Sequence, residues 1–231
     1  MQPTGLDLAV IGWMAPIFKA GPFWVDAVRA FADNALPNGF VFAAALYCVW
    51  QAPAGGRREA GKRVVFTVLT ATLIGVCMNL ALHWVIHRPP PPANPDLAAL
   101  YSPVARENTN PNSFPSDSAM LYSTVAFGLA GWSAWLGRSL FLWLLLVVAP
   151  AKVIAGGHYP TDILTGMGIG LVAVLAARYV VKRAHWIEAA LEISRWWVIQ
   201  LIVFGFIFEV GTEFWNLRQV ANALWHIRRH L

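Results

Sequence analysis

Charged residues are scarce in this sequence. Of its 231 residues, 13% are Asp, Glu, Lys or Arg, whereas a soluble domain carries about 25%. Hydrophobic residues make up 58% of the chain, and a helix that crosses a membrane needs about 20 mostly apolar residues. The composition therefore predicts an all-α, polytopic membrane protein. The net charge of +5 does not indicate nucleic-acid binding, because the cations lie at the ends of apolar runs.

Cysteines, internal repeats and targeting signals are also few. The two cysteines, Cys48 and Cys77, fall inside apolar runs, where we expect them to be buried small hydrophobes. The N-terminus lacks a basic region followed by a long apolar stretch, so no cleavable signal peptide is expected. No repeat of 20–50 residues is visible, and the proline run at 89–92 is predicted to end one helix and continue in an extended path.

The apolar runs predict about six transmembrane helices. They cover residues 35–56, 64–87, 118–137, 139–157, 163–181 and 196–208. Residues 1–34 mix apolar and charged side chains and are expected to form an amphipathic segment in the membrane interface; a tilted first span is the alternative. Residues 35–182 would form the core, and residues 183–231 a C-terminal span and a basic amphipathic tail, which could instead stay cytoplasmic.

Positive charge predicts the orientation of these spans. Residues 57–63 hold four cations, and short loops rich in Lys and Arg stay in the cytoplasm. Following the spans from there puts residues 88–117 and 157–161 outside. A tight turn at Arg138 and the cations Lys182 and Arg183 would lie inside. The polar pieces HRPPPP (87–92), SFPSDS (113–118) and AKVIAGGHYPTD (151–162) then share the non-cytoplasmic face.

The third piece has the residues of a nucleophile and its orienting group. His158 and Asp162 are four residues apart at a predicted helix start, so a carboxylate can hold the imidazole in one tautomer. Lys152 ends the preceding span, where an ammonium would face a polar cavity rather than lipid. The alternative is a plain polar turn at the membrane surface.

The first two pieces have groups that suit an anion. Residues 116–118 favour a helix start, where free N–H groups bind anions, so this piece is either a simple N-cap or a phosphate cradle. Arg88 offers the forked donors that match phosphate oxygens, or it reaches from a helix end to water. His83 and His87 share a helix face, but no Asp, Glu or Cys nearby completes a ligand set, so no metal is expected.

In order and spacing, the three pieces resemble the type 2 phosphatidic acid phosphatase superfamily of integral-membrane lipid phosphatases. That pattern is Lys-x6-Arg-Pro, then Pro-Ser-Gly-His, then Ser-Arg-x5-His-x3-Asp. The sequence matches it at Arg88, Pro89, Pro115, Ser116, His158 and Asp162. It departs at Ala81, Asp117, Ser118, Ala151 and Lys152, which replace Lys, Gly, His, Ser and Arg respectively. The SFPSD motif at residues 113–117 looks most like that of the undecaprenyl-diphosphate phosphatase branch.

The resemblance implies a role for each matching residue. His158 would be the nucleophile that forms a phosphohistidine, and Asp162 would orient it. The phosphate oxygens would be held by Arg88, Ser116, Ser118 and Lys152. No cofactor is implied, because positioned cations take the place of a metal. The family's second histidine, which protonates the departing lipid oxygen, is absent because Ser118 occupies its position.

Three explanations for the missing acid stay open. A lipid monophosphate leaving from a diphosphate needs little protonation, which favours a polyprenyl diphosphate over a phospholipid phosphate as substrate. Another acid could substitute, with Asp117 first and then His83 or His87. The protein could instead bind or transport phosphorylated lipids without turnover. In every case the expected partners are a phosphorylated lipid and the bilayer, in a bacterial inner membrane with the site facing the periplasm.

Overall fold

The computed structural model describes residues 1–18, 21–34, 36–53, 56–101, 112–183 and 197–214. All regular structure in these ranges is helical, which confirms the all-α prediction. The α-helices are α1 (Gly5–Phe18), α2 (Pro22–Asp33), α3 (Val41–Trp50), α4 (Gly56–Val85), α5 (Pro95–Tyr101), α6 (Asp117–Leu129), α7 (Ala134–Trp143), α8 (Ala149–Ile154), α9 (Pro160–Arg183) and α10 (Trp197–Gly211). A π-helical turn, Leu36–Phe40, leads into α3, and another, Leu144–Val148, joins α7 to α8.

In the part of the chain that the structure describes, three helices are long and apolar enough to cross a membrane: Gly56–Val85, Ala134–Ile154 and Pro160–Arg183. Large apolar side chains are exposed on all three, among them Trp84, Leu146 and Leu175, as a surface in contact with lipid requires. The protein is therefore a helical membrane protein. Shorter apolar helices cover Gly5–Phe18, Asn38–Trp50 and Val198–Gly211, and the count of six spans stays a prediction.

Two helix boundaries differ from the sequence prediction. The prediction of a turn at Arg138 is wrong, because the chain turns at residues 130–133 and Arg138 lies inside α7. The hydroxyl of Ser133 accepts a hydrogen bond from the N–H of Leu136 at 3.3 Å, and this N-cap determines where α7 begins. The cations at 57–63, predicted in a loop, belong to the first turns of α4.

The cysteines and the proline run differ as well. Cys48 and Cys77 are exposed on the outer surfaces of α3 and α4 rather than buried, since lipid solvates a small apolar side chain as well as a protein core does. Residues 91–93 form a 3₁₀ turn instead of continuing extended, because proline needs no N–H partner at a helix start. The predicted C-terminal tail lies outside the described residues.

Helix α6 lies at the centre of the fold, pressed against α4 and α9. Gly166 and Gly170 of α9 face α6 so closely that no room is left for a side chain at either position. A Cβ atom on Gly166 would lie 2.3 Å from the carbonyl oxygen of Ser116, and one on Gly170 would lie 2.2 Å from Oγ of Ser123. Small residues four apart let two helix backbones approach closely. This contact brings the second polar piece (residues 113–118) against the first turns of α9, where the third piece (residues 151–162) ends.

Replacing Gly166 by alanine should destabilise the protein by about 1–3 kcal/mol, because the new methyl group meets backbone that cannot rotate away. At Gly168, on the same helix, a Cβ atom would have no other atom within 4 Å, so Gly168→Ala is the matched control. That control should be neutral, or stabilising by up to about 1 kcal/mol through helix propensity. Thermal unfolding in detergent compares the two, and equal stabilities would contradict the close contact.

Candidate functional site

The three polar pieces meet at one end of the helical bundle, and Asn112 joins the first to the second. Its side-chain amide N–H groups donate to the carbonyl oxygens of His83 at 3.2 Å and Ile86 at 2.8 Å. Its Oδ1 accepts from the N–H of Arg88 at 2.9 Å. The N–H of Ser113 then donates to the carbonyl of Arg88 at 2.7 Å. Asn112 thus closes the end of α4 and fixes the neighbouring chain beside it.

The second piece forms the start of α6. The hydroxyl of Ser116 accepts from the N–H of Ala119 at 3.4 Å, and its own N–H donates to the carbonyl of Asp162 at 3.1 Å. Asp117 accepts the N–H of Ser118 through Oδ1 at 2.9 Å. Ser116 therefore serves as the N-cap of α6, which was one of the two interpretations of this piece, the other being a phosphate cradle. Its part in holding phosphate stays a prediction.

A glycine turn after α8 positions the third piece. Gly156 has φ of 77°, in the left-handed region. Its N–H donates to the carbonyl of Val153 at 3.0 Å, while the N–H of Gly157 donates to that of Lys152 at 3.1 Å. This pair of bonds is the Schellman motif, which ends a helix and reverses the chain. His158 follows directly, at the point where the chain turns toward α9.

The imidazole of His158 is held in one tautomer. Its Nδ1 lies 2.7 Å from the carbonyl oxygen of Ser113. Because a carbonyl oxygen can only accept, Nδ1 carries the hydrogen in the neutral ring and Nε2 keeps its lone pair. The side chain is half-buried, so Nε2 can act as a nucleophile toward a group that enters the site.

The carboxylate of Asp162 has other partners. It forms an ion pair with Arg88 and accepts the N–H of Tyr159 at 2.8 Å. Among the described contacts, Ser113 rather than Asp162 therefore orients His158. The orienting role that the resemblance implies for Asp162 stays a prediction.

Arg88 is fully buried between two carboxylates. Its guanidinium forms ion pairs with Asp7 and Asp162, and Nη1 also donates to the hydroxyl of Thr161 at 2.8 Å. The ring of Tyr159 packs against it, with 3.9 Å between Cζ and the ring centroid. Among the described residues, Nε of Arg88 is buried without a hydrogen-bond partner. A phosphate could therefore reach Arg88 only through Nε or by displacing a carboxylate.

Asp7 links the N-terminal helix to this site. Its carboxylate accepts the N–H of Thr4 at 2.8 Å and the N–H of Thr161 at 2.9 Å. Burial alone would raise the pKa of Asp7, but these hydrogen bonds and the one from Arg88 outweigh it, and the pKa lies below its ordinary value. Sequence reasoning missed this residue, although a carboxylate within an apolar segment is a signal of a functional site.

A second cluster forms around Glu213, in the turn after α10. Its carboxylate is 3.0 Å from Nζ of Lys152 and accepts the hydroxyl of Ser118 at 2.8 Å and that of Tyr122 at 3.1 Å. Sequence reasoning missed Glu213 as well, because nothing in the spacing of residues connects the C-terminal helix to the three pieces. The two predicted phosphate ligands, Ser118 and Lys152, thus already bind the carboxylate of Glu213.

Carboxylates outnumber cations among the described residues of the site. The cations are Arg88 and Lys152. The carboxylates that form ion pairs with them are Asp7, Asp162 and Glu213. An anionic ligand therefore meets cations whose charge the protein already neutralises, which constrains any mechanism that uses them.

Comparison with known proteins identifies the family. The model of the PAP2 superfamily matches residues 64–186, more than half of the chain. The "Putative undecaprenyl-diphosphatase YbjG" of Escherichia coli (strain K12) is 33% identical over 69 residues. This alignment covers 30% of the chain and 35% of the length of that relative. No solved structure matches.

Proposed function

We propose that this chain, which belongs to the PAP2 superfamily, removes a phosphate group from a phosphorylated membrane lipid by way of a phosphohistidine at His158. The observation that carries the proposal is the 2.7 Å contact between Nδ1 of His158 and the carbonyl of Ser113. It leaves Nε2 free to attack phosphorus. The attack forms the P–N bond as the bond to the leaving oxygen breaks, and water then hydrolyses the phosphohistidine.

A polyprenyl diphosphate is the substrate that we favour over a phospholipid phosphate. Ser118 stands where the family pattern has the proton-donating histidine, and a serine hydroxyl is too weak an acid for that role, so any proton must come from a group outside the family pattern. A lipid monophosphate leaves more readily without a proton than a lipid alcohol does. The name of the relative in Escherichia coli points to the same class of lipid.

We place the site at the periplasmic face of a bacterial inner membrane. The cations of residues 57–63 lie at the beginning of α4, and Arg88 follows its opposite end. A helix of 30 residues is about 45 Å long, enough to put these two ends on opposite sides of a bilayer. Because cytoplasmic ends are rich in Lys and Arg, the site would face outward.

Purified protein in detergent should release inorganic phosphate from undecaprenyl diphosphate faster than from phosphatidic acid. The measurement is phosphate release against time for both lipids at equal surface concentration, with heat-unfolded protein as the blank. Faster release from phosphatidic acid would contradict the substrate assignment. No release from either lipid would contradict the enzymatic proposal.

One observation favours a second function, the binding or transport of phosphorylated lipids without turnover. Arg88 and Lys152 are each neutralised by carboxylates of the same protein, as in a site that has lost the need to stabilise a transition state. Binding of undecaprenyl diphosphate to the protein in reconstituted vesicles, without release of phosphate, would support this function.

A further inference from the structure

Phosphate binding at this site requires one of its carboxylates to change. Among the described residues, three carboxylates pair with two cations, so an incoming oxyanion would be repelled in a site partly shielded from water. A carboxylate must therefore move away or take up a proton before a phosphate can be held by Lys152 and Ser118.

Glu213 is the carboxylate best able to do so. Asp7 and Asp162 are fully buried, and each accepts several hydrogen bonds from elements on both sides. Glu213 keeps 22% of its side chain exposed and lies beyond the last turn of α10. Its backbone φ of 55° is uncommon for a residue other than glycine and often accompanies a functional position.

We propose that Glu213 is the proton-carrying residue of this site. An incoming oxyanion displaces the Glu213 carboxylate from Lys152 and Ser118, and Glu213 binds a proton as it is displaced. This proton then passes to the leaving oxygen. The inference rests on the proposed function for its last step only. Its first step, proton uptake on binding an oxyanion, holds for any tetrahedral anion.

The groups around Glu213 explain the uptake. Lys152 and Tyr122 contact it from α8 and α6. Asp117 begins α6 next to Ser118, and Glu209 lies one turn earlier on α10. When the anion binds Lys152, Glu213 loses its one cationic partner among these groups and gains a negative neighbour. Both changes favour the protonated carboxyl group.

The protons balance over the two steps. As Nε2 of His158 forms the P–N bond, the bond from phosphorus to the leaving oxygen breaks and that oxygen takes the proton of Glu213. In the second step the Glu213 carboxylate takes a proton from the attacking water as the P–N bond breaks. Inorganic phosphate then departs, Glu213 releases this proton to solvent, and its carboxylate returns to Lys152.

Sulfate tests the binding step, because it does not titrate near neutral pH and any proton taken up belongs to the protein. Calorimetric titration of the full-length protein with sulfate, in buffers of different ionisation enthalpy, should show uptake of about one proton. Affinity should then fall about tenfold for each unit of rising pH. The Glu213→Gln variant should take up no proton and should bind sulfate with little dependence on pH.

Glu209→Gln is the matched control, because it removes a carboxylate from the same helix without touching Lys152 or Ser118; it should behave like the wild type. Absence of sulfate binding to the wild type, absence of proton uptake, or equal uptake by Glu213→Gln would each overturn the proposal. Equal uptake would assign the proton to His158 instead.

Turnover tests the second step separately. Glu213→Gln should slow phosphate release by about 10²-fold or more from phosphatidic acid, and by much less from undecaprenyl diphosphate, whose leaving group needs less protonation. Faster release by Glu213→Gln would show that the carboxylate only blocks the site, and would overturn the proton transfer. If the wild type releases no phosphate, the proposed function fails, whereas the sulfate result still decides whether Glu213 carries a proton.

Discussion

Replacing Arg88 by methionine should destabilise the protein by about 3–5 kcal/mol, because the change leaves two buried carboxylates without their shared cation. Both Asp7 and Asp162 are fully buried, so water cannot stabilise the charge that remains. Arg58→Met, at an exposed position of α4, is the matched control and should change stability by less than about 0.5 kcal/mol.

A double-mutant cycle separates this charge effect from lost packing. At neutral pH Asp7 is ionised, since its pKa lies below the ordinary value. Asp7→Asn should therefore cost less in the Arg88→Met background than in the wild type, because it removes a charge that has lost its partner. The measurement is unfolding in detergent followed by tryptophan fluorescence. Additive effects would show that Arg88 stabilises the fold by packing alone.

Replacing His158 by asparagine should reduce phosphate release by at least about 10³-fold, because the nucleophile is lost while the rest of the site remains. Asparagine can still donate to the carbonyl of Ser113, so the local hydrogen bond and the fold should survive. His87→Asn is the control, since His87 is exposed beside the site and the proton donor that we propose is Glu213; it should change the rate by less than about tenfold.

A trapping experiment identifies the intermediate directly. Wild-type protein quenched during turnover of lipid labelled at the terminal phosphate should carry label that is stable in base and lost in acid, as expected of a phosphohistidine. The His158→Asn protein should carry none. Label of the same amount on the variant would assign the nucleophile to another residue, and release at the wild-type rate would exclude His158 from the reaction.

Local signals in the sequence predicted much of this protein. Apolar runs of sufficient length predicted helices near α4, α7 to α8, and α9, because a membrane span depends on composition alone. The order and spacing of Arg88, Ser116, His158 and Asp162 predicted the family, which the comparison confirms. Helix ends were predicted less well. The turn at 130–133 depends on a capping serine, a short-range signal that the charge at Arg138 obscured.

The partners of these residues were decided by the tertiary structure. Asp7 and Glu213 lie 81 residues before Arg88 and 61 residues after Lys152, and no periodicity or spacing connects residues so far apart. They meet because α1 packs against α8 and α9, while α10 packs against α3, which itself contacts α6. The sequence by itself determined the apolar helices and the family pattern that names Arg88, Ser116, His158 and Asp162 as candidate site residues. The packing determined which carboxylates pair with the cations, because the partners of Arg88 and Lys152 come from segments far away along the chain.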